Sequence, residues 1–137
     1  MTEPAVALCL DVFDIDRAAR WWGALAGYEI VERTGPIIGG TASLRSPRVP
    51  ELELRFFACR PRPITGCLIG SIRMITLRLD DPEAAVASLA KAIAPEPVIE
   101  VERTEGGAII LRDSHGYHVC VEAHRPAGSA CAAATLP

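Results

Sequence analysis

The sequence has little net charge, no long apolar run and no disulfide spacing. Its formal net charge is -3 and its basic residues are scattered, so nothing favours a nucleic acid or an anionic membrane as partner. No apolar run approaches the roughly 18 residues of a membrane span, and MTEPAVALCLDVFD lacks the basic start and apolar core of a signal peptide. Five cysteines without CxxC spacing are typical of reduced thiols. We therefore expect a cytoplasmic protein.

An internal repeat runs through most of the 137 residues. VERT occurs at 31–34 and again at 101–104, and an offset of 67 residues places LCLDVFDIDRAA (8–19) on ITLRLDDPEAAV (75–86). Each copy begins with an alternating strand, continues with a helix and ends with three short strands between turn signals. The sequence therefore predicts a βαβββ unit, twice.

The two helices carry recognisable end signals. Asp14 or Asp16 is suited to cap the first helix and Gly27 to end it. In the second copy Asp81 is the expected N-cap and Pro82 suits the first helical position. The three strands that follow each helix are expected at 28–34, 40–45, 51–58, 97–104, 107–112 and 117–123.

The predicted fold class is α+β. Two βαβββ modules form a curved mixed sheet around a cavity, with the helices on its outer face. The first module spans residues 1–58, a linker spans 59–71, and the second module spans 72–124 of the same domain. Residues 125–137 are expected to be a flexible tail.

Alternation along the strands divides their residues into an apolar and a polar face. Because unpaired charges are costly to bury, the polar face predicts a wet or ligand-filled pocket. The residues expected under the helices are Leu8, Leu10, Val12, Leu52, Leu54, Phe56, Ile75, Leu77, Leu79, Val119 and Val121. Those expected on the opposite face are Asp11, Glu51, Glu53, Arg55, Thr76, Arg78, His118, Cys120 and Glu122.

Three stretches resemble the vicinal oxygen chelate superfamily, which includes glyoxalase I, extradiol dioxygenases, fosfomycin-resistance enzymes and bleomycin-binding proteins. They are LDVFDIDRAARWWGALAGYEI (10–30), LRLDDPEAAVASLAKA (77–92) and LRDSHGYHVCVE (111–122), and the likeness spans about residues 5–123. The resemblance implies the two-module fold, a ligand cavity and a homodimer. It says little about the reaction, because this fold hosts many chemistries.

The resemblance also implies where a metal would bind. Metal-dependent members carry a His on the first strand of each module, and these positions fall on Ala7 and Met74. The carboxylate of the last strand falls on Cys120, counted from the DSHG turn, and its repeat equivalent at the same offset is Glu53. Ala7 cannot bind a metal, and a thioether is a poor ligand for hard divalent ions. We therefore expect the family metal site to be lost, with no metal and no other cofactor.

The stretch LRDSHGYHVC (111–120) concentrates potential ligands in two kinds of structure. Asp113 is expected to accept backbone N–H bonds in a turn, with His115 solvated and Gly116 at a positive φ. His118 and Cys120 are expected on one strand face, pointing into the cavity. They leave two alternatives open: a substitute metal site completed by Glu122 and Glu53, and a metal-free lyase or isomerase that uses His118 as a base or Cys120 as a thiolate.

The favoured function is metal-free binding of a small molecule, as in antibiotic or metabolite sequestration. One of Trp21 and Trp22 is expected in the core, while the other could stack a planar ligand. Polar cavity residues could hold a ligand or pair with each other. A structural partner domain and a metal-dependent glyoxalase or dioxygenase are further alternatives. The candidate ligand-binding residues are Asp11, Trp22, Glu53, Arg55, Met74, Arg78, His118 and Cys120.

Overall fold

The predicted βαβββ order occurs twice in the computed structural model, which describes residues 4–35, 40–58 and 74–124. The expected linker 59–71 and tail 125–137 lie outside the described residues. The first module consists of β1 (Val6–Val12), α1 (Ile15–Ala26), β2 (Glu29–Thr34), β3 (Thr41–Arg45) and β4 (Leu52–Ala58). The second consists of β5 (Ile75–Leu79), α2 (Pro82–Ile93), β6 (Ile99–Arg103), β7 (Ile109–Arg112) and β8 (His118–Ala123).

The helices begin where the capping residues predict. The Asp14 carboxylate, one of the two candidates, accepts a hydrogen bond from the Arg17 backbone N–H at 3.0 Å and caps α1. Gly27, at a φ of 76°, ends that helix in the left-handed conformation. Asp81 caps α2, and Pro82 is its first residue. Neither of these described helices is long and apolar enough to cross a membrane.

Each module forms its own four-stranded mixed sheet. The strand order is β1-β4-β3-β2 in the first sheet and β5-β8-β7-β6 in the second. In both sheets the first and last strands of the module pair in parallel, and the other neighbours are antiparallel. This topology confirms the α+β class and the curved mixed-sheet arrangement expected from the repeat.

One face of each sheet packs under its helix, and α1 packs against α2. The strand alternation predicts the buried face well: Leu10, Leu54 and Phe56 are buried in the first module. Leu77, Val119 and Val121 are buried in the second module. Both modules therefore share one apolar core, while the opposite face of each sheet stays open.

The arginine of each VERT segment links a strand, β2 or β6, to the helix of the same module. Arg33 forms an ion pair with Asp16 at 2.6 Å, and Arg103 forms the corresponding ion pair with Glu83. Both acidic residues lie in the first turn of a helix, where negative charge is favourable. Each VERT also contains the register shift that bulges its strand. The likeness of the two segments therefore reflects a shared structural role.

The turn that precedes β8 joins the two modules. The Trp22 Nε1–H of α1 donates a hydrogen bond to the Asp113 carboxylate at 3.2 Å. The Tyr117 hydroxyl donates to the Asp11 backbone carbonyl at 3.0 Å and accepts from the Asp11 N–H at 3.1 Å. The expected turn is confirmed, because Asp113 also accepts backbone N–H bonds from His115 and Tyr117. Its Gly116 has a φ of 92°.

The expectation that His115 is solvated is wrong. Its ring lies 4.2 Å from the Phe13 ring, and its Nε2 accepts a hydrogen bond from the Asp14 backbone N–H. Burial, together with the nearby Arg17 charge, lowers the pKa of His115 to about 4. His115 is therefore a neutral acceptor that holds the second module against the start of α1.

Candidate functional site

The open face of the first sheet forms a cavity of about 490 Å³. Most of its side chains come from β2, β3 and β4 on the side away from α1, because residues two apart along a strand share a face. We call this surface the first open face. It is lined by Val31, Glu32, Thr41, Ala42, Ser43, Arg45, Glu53, Arg55 and Phe57.

A buried carboxylate lies in this cavity between two guanidinium groups. Glu53 is only 4% exposed, and its two oxygens accept hydrogen bonds from Arg45 Nε at 2.9 Å and Arg55 Nε at 2.6 Å. The hydrogen bond from Arg55 is the main reason why the pKa of Glu53 lies below its usual value, and Arg45 adds to the effect. The sequence left open whether these polar residues hold a ligand or pair with each other. In the structure, Glu53 pairs with Arg45 and Arg55.

Apolar side chains border this ion pair. Val31 is 57% exposed and Phe57 is 39% exposed, although both are large hydrophobic residues. A charged centre with exposed apolar neighbours is the usual composition of a ligand pocket. Neither residue was among the sequence-based candidates, and Arg45 was also missed. Alternation through β3 and β4, extended beyond the polar residues, is the signal that would have found Arg45 and Phe57.

The open face of the second sheet carries a different set of groups. We call it the second open face; it comprises Met74, Thr76, Arg78, Ile110, His118, Cys120 and Glu122. Arg78 Nε donates to the Glu122 carboxylate at 3.1 Å. His118 Nε2 is buried and has no hydrogen-bond partner within the described residues. This face therefore offers one ion pair and one unsatisfied imidazole nitrogen.

The Cys120 thiol is poorly placed to act as a nucleophile. The residue is only 8% exposed. Burial, and secondarily the Glu122 charge, raises the pKa of the Cys120 thiol. Because the thiolate is the reactive form, this environment disfavours the thiolate alternative.

The repeat offset assigned to the last strands is wrong. Ser43 of β3 pairs with Arg55, and its repeat equivalent Ile110 pairs with Cys120. Cys120 therefore corresponds to Arg55, and Glu53 corresponds to His118. The offset shifts because the connection between β7 and β8 is shorter than the one between β3 and β4.

The residues that the sequence predicts at the family's metal positions do not fit a metal. Ala7 has only a methyl group there, and Met74 offers a thioether that is unsuited to hard divalent ions. The oxygens of Glu53 already bind two guanidinium groups, whose charge would oppose a cation. The ligand-type residues of the described ranges include no group of three that could hold an ion. The substitute site with His118 and Cys120 is therefore not assembled in this arrangement.

Trp22 was proposed as a ligand contact, and this prediction is wrong. Trp21 is 3% exposed and Trp22 is 0% exposed, so both rings belong to the core. Their edges meet at a centroid distance of 5.3 Å. The Nε1–H of Trp22 is also committed to Asp113. Trp22 lies between α1 and the sheet, away from the first open face.

The remaining candidates are distributed over both open faces. Glu53 and Arg55 meet in the first cavity. Asp11 is half-buried at the end of β1, where Tyr117 binds its backbone. Met74 is 46% exposed at the start of β5. No described cavity joins the two faces; the cavity of the first face is lined by residues of the first module.

Solved structures with this architecture include proteins of several activities. Glyoxalase I of Leishmania major has a TM-score of 0.65 at 16% identity, covering 97% of this chain and 95% of its own. An antibiotic binding protein from Streptomyces has a TM-score of 0.61 at 18% identity, with coverages of 91% and 98%. A bleomycin resistance determinant encoded on the transposon Tn5 has a TM-score of 0.59 at 21% identity, with coverages of 88% and 98%. No curated protein matches the chain in sequence.

These neighbours and the paired βαβββ modules define the vicinal oxygen chelate fold. Residues 7–122 match the model of the glyoxalase-like domain, and the chain belongs to that family. The family alone does not specify a reaction, since sites and not folds carry chemistry.

Proposed function

We propose that this glyoxalase-like protein binds a small organic molecule on its open faces without a metal. The observation that carries the proposal is the cavity of about 490 Å³ on the first open face. Within it the Arg45–Glu53–Arg55 cluster lies beside the exposed side chains of Val31 and Phe57. Guanidinium groups can orient polar atoms of a ligand, while the apolar side chains supply the contact area.

Two structural relatives that are named for binding or resistance support a sequestering role. One is described as an antibiotic binding protein and the other as a bleomycin resistance determinant. The Phe57 ring can stack on a planar group. We therefore infer that the ligand is a planar antibiotic or metabolite with hydrogen-bonding groups at its edge.

A second copy of the chain closes the cavity in this proposal. The first open face is broad and lined by one module, so a ligand bound there alone would remain partly exposed to solvent. Placing the second open face of a partner over it would cover Phe57 and Met74, which are now 39% and 46% exposed. Covering such apolar surface favours association. Sedimentation should then show a dimer, and Phe57→Glu should yield a folded monomer; a wild-type monomer would contradict this part.

A ligand screen by thermal shift tests the binding proposal. Planar antibiotics and aromatic metabolites are added to protein treated with chelator, because a ligand that binds the native state raises the melting temperature. At least one compound should raise it for the wild type and not for Arg55→Gln. The matched control Arg33→Gln, on the opposite face of the same sheet, should keep the response. A response that survives in Arg55→Gln would contradict binding at the first open face.

The unpartnered His118 Nε2 favours a second candidate, acid–base catalysis on a bound ligand without a metal. A buried imidazole nitrogen that has no partner among the described residues can exchange a proton with a ligand placed against it. If so, His118→Gln should still bind the ligand but lose any turnover. Turnover that persists in His118→Gln would contradict this candidate and leave sequestration.

A further inference from the structure

A separate cavity, of about 180 Å³, lies at the junction of the two modules. It shares no lining residue with the cavity of the first open face. Its walls come from the start of α1, the end of α2, the following loop, and the turn before β8. The lining residues are Arg17, Trp21, Ile93, Glu96, Pro97, Ile99, Arg112, Asp113 and Ser114. We call it the junction cavity.

The junction cavity contains unused guanidinium donors. Arg17 Nη2 donates to Glu96 at 3.1 Å, but its Nε–H is buried and has no hydrogen-bond partner in the described part of the chain. Arg112 is exposed, and its guanidinium forms no hydrogen bond or ion pair with any described residue. A buried donor without an acceptor is costly to leave in that state. An oxygen ligand in the cavity would relieve this cost.

The carboxylates around the cavity already have hydrogen-bond or ion-pair partners. Glu96 is shared between Arg17 and Arg20, at 3.1 and 3.6 Å. The Asp113 oxygens accept N–H bonds from the turn and from Trp22. A monoanion would therefore meet the guanidinium donors that Glu96 leaves unused. The second charge of a dianion would add to the repulsion from the Glu96 and Asp113 carboxylates.

The rest of the cavity lining favours a ligand with a small apolar part. Trp21, Ile93, Pro97 and Ile99 contribute aromatic and aliphatic surface beside the guanidinium groups. A volume of about 180 Å³ is smaller than the 300–1,000 Å³ of pockets for drug-sized ligands. These dimensions suit a compact molecule with one acidic group.

We propose that the junction cavity binds a small organic monocarboxylate, whose carboxylate is held by Arg17 Nε and Arg112 and whose apolar part contacts Trp21. Arginine is suited to this role because its planar fork matches the geometry of a carboxylate. The site is independent of the open faces. Binding there would also strengthen the contact between the modules, since the cavity walls belong to both.

Benzoate is a suitable probe, because Trp21 lines the cavity and its fluorescence reports occupancy. Titration of the wild type should give saturable quenching, confirmed by calorimetry. Arg112→Gln should weaken the affinity at least about tenfold, which is the loss expected when a charge-assisted interaction of about 1.4 kcal/mol is removed. The matched control Arg78→Gln, on the second open face and outside the junction cavity, should keep the affinity. Arg55→Gln, on the first open face, should keep it as well.

Benzamide and phenyl phosphate test the charge requirement. The neutral benzamide and the dianionic phenyl phosphate should both bind at least about tenfold more weakly than benzoate. The proposal is overturned if benzoate does not bind saturably, if benzamide binds as tightly, or if Arg112→Gln leaves the affinity unchanged. Tighter binding of phenyl phosphate would overturn the monocarboxylate assignment.

Discussion

Glu53 has a different role from the one that the sequence repeat predicted. The repeat predicted a metal-binding carboxylate, yet both oxygens bind guanidinium groups. Arg45 and Arg55 supply the positive charge that faces this carboxylate. The carboxylate thus keeps a charged partner in a partly buried site, which lowers the cost of its burial.

Replacing Glu53 by Gln should remove part of the acid-labile stability. The pKa of Glu53 is lowered from 4.5, so the unfolded state binds a proton more readily than the folded state. The stabilisation is therefore fully present above about pH 4.5 and is lost as the pH falls through the lowered folded pKa. Melting temperatures between pH 3 and 7 should fall less steeply for Glu53→Gln than for the wild type. Glu29→Gln, an exposed control, should follow the wild type; identical slopes for all three would contradict this role.

The paired tryptophans offer a matched test of the module junction. Trp22→Phe leaves the buried Asp113 oxygen without its indole donor, which should cost about 1–3 kcal/mol of unfolding free energy in addition to any packing loss. Trp21→Phe changes the neighbouring core ring without removing that hydrogen bond. Urea unfolding should show the larger loss for Trp22→Phe. Equal losses would mean that the hydrogen bond contributes no net stability.

At the scale of elements, the turn before β8 holds the two modules together through hydrogen bonds. Three of its residues, Asp113, His115 and Tyr117, bind the end of β1 or the adjoining α1. The sequence stretch LRDSHGYHVC therefore consists mainly of a turn that contacts the first module and the start of a strand of the second open face. Its concentration of acidic, imidazole and thiol groups does not form a metal cluster in the described structure.

The contact between the turn before β8 and the first module should weaken in mild acid because of His115. Its folded pKa of about 4 lies below the usual 6.5, so the unfolded state takes up a proton first as the pH falls. Stability contributed by neutral His115 is present above pH 6.5 and declines between 6.5 and about 4. His115→Gln should be less stable at pH 7 and should show a smaller decline over this range than the wild type. The exposed control His124→Gln should decline like the wild type; an equal decline in His115→Gln would contradict the account.

The helices and strands could be predicted because they depend on local sequence patterns. The candidate site could be predicted only in part, because it depends on contacts between residues far apart in the sequence. The caps at Asp14, Gly27 and Asp81 and the strand alternation are short-range signals, so element order and core face could be derived from sequence. The shift in register at β8 depends on the length of one connection, which no residue pattern encodes. The bonds of Tyr117 to Asp11 span 106 residues, and such contacts leave no local trace.

At the scale of the whole molecule, the two modules differ in the chemical groups on their open faces. The first open face has the Arg45–Glu53–Arg55 cluster within a cavity, whereas the second has a buried imidazole in the equivalent position of Glu53. Duplicated modules that have diverged in this way can present two chemistries to one ligand. The proposed dimer would bring both to the same cavity, and the junction cavity would remain separate.

Calorimetric titration with the best compound of the ligand screen tests the central claim, which is metal-free binding at the first open face. The titration is made with wild type and Arg55→Gln, each with chelator and with added divalent metal. We expect the wild-type affinity to be the same in both conditions and to fall at least about tenfold in Arg55→Gln. Binding that requires added metal, or that is unaffected by Arg55→Gln, would contradict the account.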